Sequence, residues 1–173
     1  LDQGKSLSIT KVLCLACYRN LNHHYWAKNL VYKTGFFEVK KRFIDEPSVE
    51  EEIAHNIPVF RKITDGISLK VKMQYEENPY PRWRHSNPSR ATKTLFYQAI
   101  NAEIKPNFIG CYGIAKPLKV LVAGCGTGQH SIGTASRFKD SKVLAIDLSL
   151  SSLAYAKRKT EELGVKNIDY MQA

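Results

Sequence analysis

The chain has 173 residues, 43% hydrophobic and 24% charged, which indicates a folded globular protein and excludes a disordered one. Its longest apolar runs, Val12–Cys17 and Val120–Cys125, are far shorter than the roughly 18 residues of a membrane span, so we predict none. The net charge of +10 is spread along the chain: residues 1–117 include 18 basic and 11 acidic residues, and residues 118–173 include 8 basic and 5 acidic residues. This distribution favours a solvated surface over a clustered nucleic-acid binding surface.

The N-terminal segment "LDQGKSLSIT" begins at Leu1 and lacks the basic and apolar regions of a signal peptide. We therefore expect a cytoplasmic chain that lacks its natural N-terminus.

Residues 9–33 predict one amphipathic helix with an aromatic-rich end. Within it, Cys14 and Cys17 form a CxxC motif that two histidines follow. A zinc site would need a second closely spaced pair in a loop, and the sequence has none. On a helix both cysteines share the apolar face of Leu21, so we expect buried free thiols and no metal.

The next segments predict a connection followed by a second helix. Residues 34–47 are expected to be irregular or briefly extended and to close at Pro47. Ser48 and Glu51 have the spacing of a capping box, in which hydroxyl and carboxylate each satisfy a free backbone N–H, so a helix should begin there and end near Ile57.

The region after this helix is rich in proline. Residues 63–87 are expected to be extended and ordered, because Pro79, Pro81 and Pro88 exclude a continuous helix. Another helix is predicted from Ser89 to about Ile104.

From Leu118 onward, short apolar strands alternate with helices. "LKVLVA" predicts a buried strand, "GQHSIGTASRF" a helix, "KVLAID" a second strand, "SLSSLAYAKRKTEEL" a second helix ending before Gly164, and "NIDYMQ" a third strand. A β-α-β-α-β series forms a parallel sheet that binds ligands at the carboxyl ends of its strands.

Three glycines, Gly124, Gly126 and Gly128, follow the first strand. They allow a sharp turn and a close approach of a ligand, and the helix that follows directs free N–H groups at an anionic part of it. A dinucleotide fingerprint would require glycine at position 129, where the chain has Gln129, and a P-loop would require a Gly-Lys-Ser/Thr sequence. Asp147 ends the second strand, 19 residues after Gly128, where it can accept hydrogen bonds from ribose hydroxyls. These features predict an adenosine-containing ligand.

"VLVAGCGTGQH" followed by "LAIDLS" resembles the first two motifs of class I S-adenosylmethionine (SAM) dependent methyltransferases. The resemblance implies that the three glycines pass beneath the methionine and ribose of SAM, that Asp147 binds the ribose hydroxyls, and that Leu148 packs beside the adenine. Many members carry an acid where this chain has Val122, so a polar contact near the amino-acid end of SAM is absent. The implied cofactor-binding residues are Gly124, Cys125, Gly126, Thr127, Gly128, Gln129, Asp147 and Leu148.

The upstream segment "QYEENPYPRW", residues 74–83, is similar to one that precedes the methyltransferase domain in a bacterial group, some of whose members are fused to tetratricopeptide repeats. Tyr75, Tyr80, Arg82 and Trp83 could cover the SAM site or contact substrate, since arginine pairs with carboxylates and aromatics contact cations. The segment could equally be a proline-rich strap on the domain surface, or stack bases of an RNA partner.

The predicted fold class is α/β: the N-terminal half (β-α-β-α-β) of a Rossmann-like class I methyltransferase sheet, preceded by a mainly helical segment. We divide the chain into a helical region at 1–73, a proline-rich segment and helix at 74–117, and a partial SAM-binding domain at 118–173. The family sheet has seven strands in the order 3-2-1-4-5-7-6, so we expect a fragment of a longer protein.

The predicted function is methyl transfer from SAM to an unknown acceptor, which could be a small molecule, a protein or RNA. We assign no catalytic residue, because His130 in the first turn of a helix is more often a packing residue than a base. Two alternatives are a non-catalytic SAM-binding or protein-interaction module, which fits an association with repeat domains, and an NAD-dependent oxidoreductase, which Gln129 disfavours.

Overall fold

The computed structural model describes residues 8–27, 36–77, 79–85, 95–103, 118–138 and 141–173. The chain divides into two units, Leu1–Glu52 and Ile53–Ala173. In the described ranges, no helix combines the length and apolar character needed to cross a membrane. The predicted regions 1–73, 74–117 and 118–173 stay a prediction.

The first unit begins with a shorter helix than the sequence predicted. Helix α1 spans Ile9–Ala16, and a 3-10 turn follows at Leu21–His23. The prediction of one helix over 9–33 is therefore wrong for residues 17–27, and residues 28–33 lie outside the described residues. After the helix ends, Asn20 adopts an extended conformation (φ −67°, ψ 121°) before the 3-10 turn, so the chain does not continue as one helix.

The apolar core of this unit excludes the two cysteines of the CxxC motif. Cys14 and Cys17 are exposed free thiols, so the expected burial of both is wrong. The helix turns its other side inward, and Leu21 is buried on the 3-10 turn instead of on a continued α-helix. The buried cluster consists of Val12, Ala16, Leu21, Ala27, Phe36 and Ile44.

Residues 37–55 form a run of helix in place of the connection predicted over 34–47. It consists of helix α2 (Phe37–Lys40), a π-helical turn (Lys41–Asp45) and helix α3 (Glu46–His55). The π turn ends two positions before Pro47, which has no N–H and whose ring would collide with a carbonyl four residues back in a regular α-helix. Ser48 lies inside the run and donates its hydroxyl to the carbonyl of Ile44 (2.8 Å), so the predicted capping box is wrong.

Helix α4 spans Gly66–Glu77, where the sequence predicted an extended segment. Its start is capped by Asp65, whose carboxylate accepts a hydrogen bond from the backbone N–H of Ser68 (2.7 Å). The prolines that argued against a helix follow its end. Helix α5 spans Phe96–Glu103, inside the predicted helix Ser89–Ile104, whose first residues lie outside the described part of the chain.

The β-α-β-α-β prediction is confirmed. Strands β1, β2 and β3 are parallel and adjacent in the order β1-β2-β3, with Val120 opposite Val143 and Ala145 opposite Tyr170. The elements are β1 (Leu118–Ala123), α6 (Gln129–Arg137), β2 (Ser141–Asp147), α7 (Leu150–Glu162) and β3 (Ile168–Gln172).

One face of this sheet carries the core of the second unit. Val122, Ala145 and Tyr170 pack there with Ala135 of α6 and Ala156 of α7. Both helices cover the same face because successive right-handed crossovers in one direction place their helices on one side. On the opposite face Leu121 is 61% exposed, so the prediction that β1 is a buried strand holds for one of its two faces among the described residues.

Candidate functional site

A cavity of about 520 Å³ lies at the carboxyl ends of β1 and β2. Loops that follow the two strands form one side of it. Helix α4 and Tyr80, whose peptide bond to Pro81 is cis, form the other. Ligands of parallel α/β sheets bind at this position. The lining residues are Val71, Lys72, Tyr75, Tyr80, Ala123, Gly124, Gly126, Ile146, Asp147, Leu148, Ser149, Ser152 and Ala173.

The three glycines of the loop after β1 have different surroundings. All have positive φ angles, +68° at Gly124, +51° at Gly126 and +84° at Gly128. Gly124 and Gly126 line the cavity, and a Cβ added to either would find no atom within 4 Å. A Cβ on Gly128 would lie 2.6 Å from the Cβ of Ala156. Two glycines therefore leave space on the cavity side, whereas the third allows the loop to pack against α7.

Asp147 connects the ends of the first two strands. Its Oδ2 accepts a hydrogen bond from the backbone N–H of Gly126 (2.8 Å), and its Oδ1 accepts one from the N–H of Ser149 (3.0 Å). Each carboxylate oxygen keeps a further lone pair that can accept a hydrogen bond from a ligand hydroxyl. Asp147 thus both fixes the glycine loop and presents acceptors to the cavity.

The loop after β2 is held by backbone and side-chain contacts that the sequence did not indicate. Gln172 is buried and donates its side-chain amide to the carbonyl of Leu148 (2.6 Å). The N–H of Ala173 donates to the carbonyl of Asp147 (3.1 Å). Ser149 caps α7 by accepting a hydrogen bond from the N–H of Ser152 (3.0 Å). These contacts set the position of Leu148 at the cavity edge.

The remaining loop residues of the sequence prediction do not line the cavity. Cys125 is buried, and burial followed by the charge of Asp147 raises the pKa of its thiol to about 12, so the thiol is protonated at neutral pH. Thr127 is 2% exposed and donates its hydroxyl to the carbonyl of Pro81, and Gln129 is exposed at the first position of α6. His130 follows it and is also exposed. A binding role for these loop residues stays a prediction.

The four upstream residues divide into two pairs. Tyr75 on α4 and Tyr80 line the cavity. Arg82 instead lies over the ring of Tyr155, 5.0 Å from its centroid, and Trp83 is buried. The first pair is therefore placed to contact a ligand, and the second pair packs on Tyr155 of α7.

Sequence reasoning missed a group of lining residues on two elements. Val71 and Lys72 belong to α4, which was predicted to be extended, so no wall of a cavity was expected there. Ser149 and Ser152 are the cap and first turn of α7. The available signal was their Ser-x-x-Ser spacing, which begins two residues after the strand-ending Asp147, because helix N-termini at that place point toward the ligand.

Residues 120–173 match the family described as "Methyltransferase domain". Over 58 residues the chain is 31% identical to release factor glutamine methyltransferase of Escherichia coli (strain K12) and to that of Shigella flexneri. The alignment covers 34% of this chain and 21% of each relative, so the chain spans about a fifth of the length of the curated relatives it matches.

Two solved structures of methyltransferases align with the chain at low similarity. A SAM dependent methyltransferase from Aquifex aeolicus is 18% identical, with a TM-score of 0.33 over 65% of this chain and 48% of that protein. Coclaurine N-methyltransferase bound to N-methylheliamine and SAH is 16% identical, with a TM-score of 0.35 over 96% of this chain and 44% of that one.

Proposed function

We propose that the second unit holds SAM in the cavity at the ends of β1 and β2, and that the chain is the cofactor-binding part of a SAM-dependent methyltransferase. The observation that carries this proposal is Asp147, which joins the glycine loop to the end of β2 and still offers acceptors to a ligand. The family match of residues 120–173 supports it. A cavity of about 520 Å³ is within the range of small-molecule sites.

Several of the lining residues then have a defined task. Gly124 and Gly126 let the ligand approach the backbone, because neither glycine carries a side chain there. Asp147 accepts hydrogen bonds from the ribose hydroxyls, and Leu148 packs beside the adenine. Lys72 places a cation in the cavity wall, where it can pair with the carboxylate of the ligand.

SAM, when bound, supplies a methyl group activated by a sulfonium. The chain contributes binding, orientation and exclusion of water, which are the main requirements of an in-line displacement. Tyr75 and Tyr80 line the cavity and can shield a cationic centre with their ring faces. A base is required only for an acceptor atom that is not already nucleophilic, so none is assigned to this chain.

The first test is calorimetric titration of SAM into the chain, with NAD as the control ligand, after circular dichroism has shown the chain to be folded. We expect saturable binding of SAM in the micromolar range and none of NAD. Asp147→Ala removes a charged acceptor and should weaken SAM binding by about tenfold or more. Asp169→Ala is the matched control, because Asp169 lies on β3, is exposed and pairs with Lys142 outside the cavity.

Two outcomes would overturn the proposal. Preferential binding of NAD over SAM would favour an oxidoreductase, and equal SAM affinity in Asp147→Ala and the native chain would remove the ribose role of Asp147. If SAM binds as expected, transfer of its labelled methyl group to a small molecule, a protein or RNA separates an enzyme from a non-catalytic SAM-binding module.

A further inference from the structure

Residues 79–85, here called the strap, contact the glycine loop at Thr127 through two hydrogen bonds of opposite direction. The indole N–H of Trp83 donates to the carbonyl of Thr127 (3.0 Å). In return, the hydroxyl of Thr127 donates to the carbonyl of Pro81 (2.8 Å). Both the backbone and the side chain of one loop residue are thus held by the same short segment.

The strap is itself fixed to α7. The hydroxyl of Tyr155 donates to the carbonyl of Trp83, and the two rings meet edge to face at 5.9 Å. The ammonium of Lys159 lies 5.1 Å from the centre of the Trp83 ring and donates to the carbonyl of Arg84 (3.4 Å). Trp83, Tyr155 and Lys159 are 8%, 4% and 6% exposed, so water competes little for these contacts.

Thr127 lies between two glycines, so hydrogen bonds to it restrict the most flexible part of the loop. Its neighbours Gly126 and Gly128 both have positive φ angles, and glycine has the largest backbone freedom to lose on ordering. On the cavity side Asp147 holds the N–H of Gly126. Trp83 holds the carbonyl of Thr127, the following residue. The glycine loop is therefore restrained at two consecutive residues before any ligand arrives.

We propose that Trp83 is a positioning residue that presets the glycine loop for its ligand, and that the strap from Pro81 to Trp83 is a fixed support of this loop. The identity of the ligand as SAM rests on the proposed function, but the restraint on the loop does not. A preset loop raises affinity because less conformational freedom is lost on binding.

The test replaces the indole with a ring that cannot donate. Trp83→Phe keeps the packing on Tyr155 and removes one hydrogen bond, and Trp26→Phe in the first unit is the matched control, since that ring stacks on His24. Two quantities are measured: the dissociation constant for SAM, and amide hydrogen exchange of the ligand-free loop. The exchange reporters are the N–H groups of Gly126 and Gly128, bonded to Asp147 and to the carbonyl of Cys125 (3.0 Å).

We expect Trp83→Phe to weaken SAM binding about three- to tenfold, the value of one hydrogen bond, and to speed exchange at Gly126 and Gly128 while Val143 on β2 exchanges as before. Trp26→Phe should change neither quantity. Thr127→Val removes the other bond to the strap without changing side-chain size, and should act in the same direction.

Unchanged exchange at the two glycines in both variants would overturn the proposal. So would a uniform increase over all strands, because that indicates lost stability and not a freed loop. If the native chain does not bind SAM, the proposed function fails, and the exchange comparison still decides whether Trp83 positions the loop.

Discussion

Gly128→Ala is expected to destabilise the fold through a clash with α7. The backbone at Gly128 has φ +84°, and an added Cβ would lie 2.6 Å from the Cβ and 3.1 Å from the Cα of Ala156, with the hydroxyl of Tyr170 at 3.3 Å. None of these neighbours is the end of a flexible chain. The loop or the helix would therefore have to move.

The magnitude follows from two separable costs. A non-glycine residue in the left-handed region costs roughly 1–2 kcal/mol, and forcing a methyl group into a packed contact costs roughly 1–3 kcal/mol more. Gly124→Ala carries the first cost alone, because Gly124 has φ +68° and no atom within 4 Å of an added Cβ. The change in unfolded-chain entropy is the same for both variants and cancels in the comparison.

The assay is urea unfolding followed by circular dichroism. The free energies of unfolding are compared between variants whose free energy falls equally steeply with urea concentration. Gly128→Ala should be less stable than Gly124→Ala by about 1–3 kcal/mol. Adding Ala156→Gly should recover part of that difference, although Ala156→Gly alone costs about 1 kcal/mol in a helix. Equal stability of the two glycine variants, or no recovery in the double variant, would refute the clash.

Two further predictions concern ionisable groups. Burial raises the pKa of the Cys125 thiol to about 12, whereas Cys14 and Cys17 are exposed. Iodoacetamide at pH 8 should therefore modify Cys14 and Cys17 in the folded chain and Cys125 only in denaturant, which peptide mapping would show. Equal modification rates at these three cysteines would contradict the burial of Cys125. Hydrogen bonds from Ser68 lower the pKa of the Asp65 carboxyl in the folded chain. The contribution of ionised Asp65 to the free energy of unfolding should therefore be present above the pKa of Asp65 in the unfolded chain. It should be lost as the pH falls through the lower pKa of the folded chain. NMR titration of Asp65 should show that low pKa, and Asp65→Asn, which keeps the capping oxygen, should lose this part of the pH dependence.

The sheet and its two helices could be predicted because each boundary carries a local signal. Short apolar runs gave the three strands to within one residue, and the loop glycines and Ser149 marked where helices begin. Gly164, with φ +68°, marks the end of α7. These signals act over three or four residues, so a single sequence contains them in full.

Helix α4 could not be predicted, because its pattern is that of a strand. Apolar residues occupy alternate positions from Ile67 to Met73, which indicates an extended segment with one buried face. In the helix those apolar side chains are exposed, and the partly buried positions are the polar residues Ser68, Lys72 and Glu76, four apart. Glu76 accepts a hydrogen bond from the N–H of Ser151 at the start of α7 (3.3 Å). A helix that packs through its polar side is not found by a search for an apolar helix face.

The same limit applies to the spacing of the glycines. The third glycine argued against a dinucleotide because it comes one residue early, yet Gly128 lies against Ala156 and does not line the cavity. Its position therefore reflects how closely the loop packs on α7, a contact 28 residues along the chain that no local pattern contains. Gly124, Gly126 and Asp147 do line the cavity, and Asp147 also binds the loop. The chemistry of the ligand is consequently better inferred from the strand-ending carboxylate than from the number of residues between glycines.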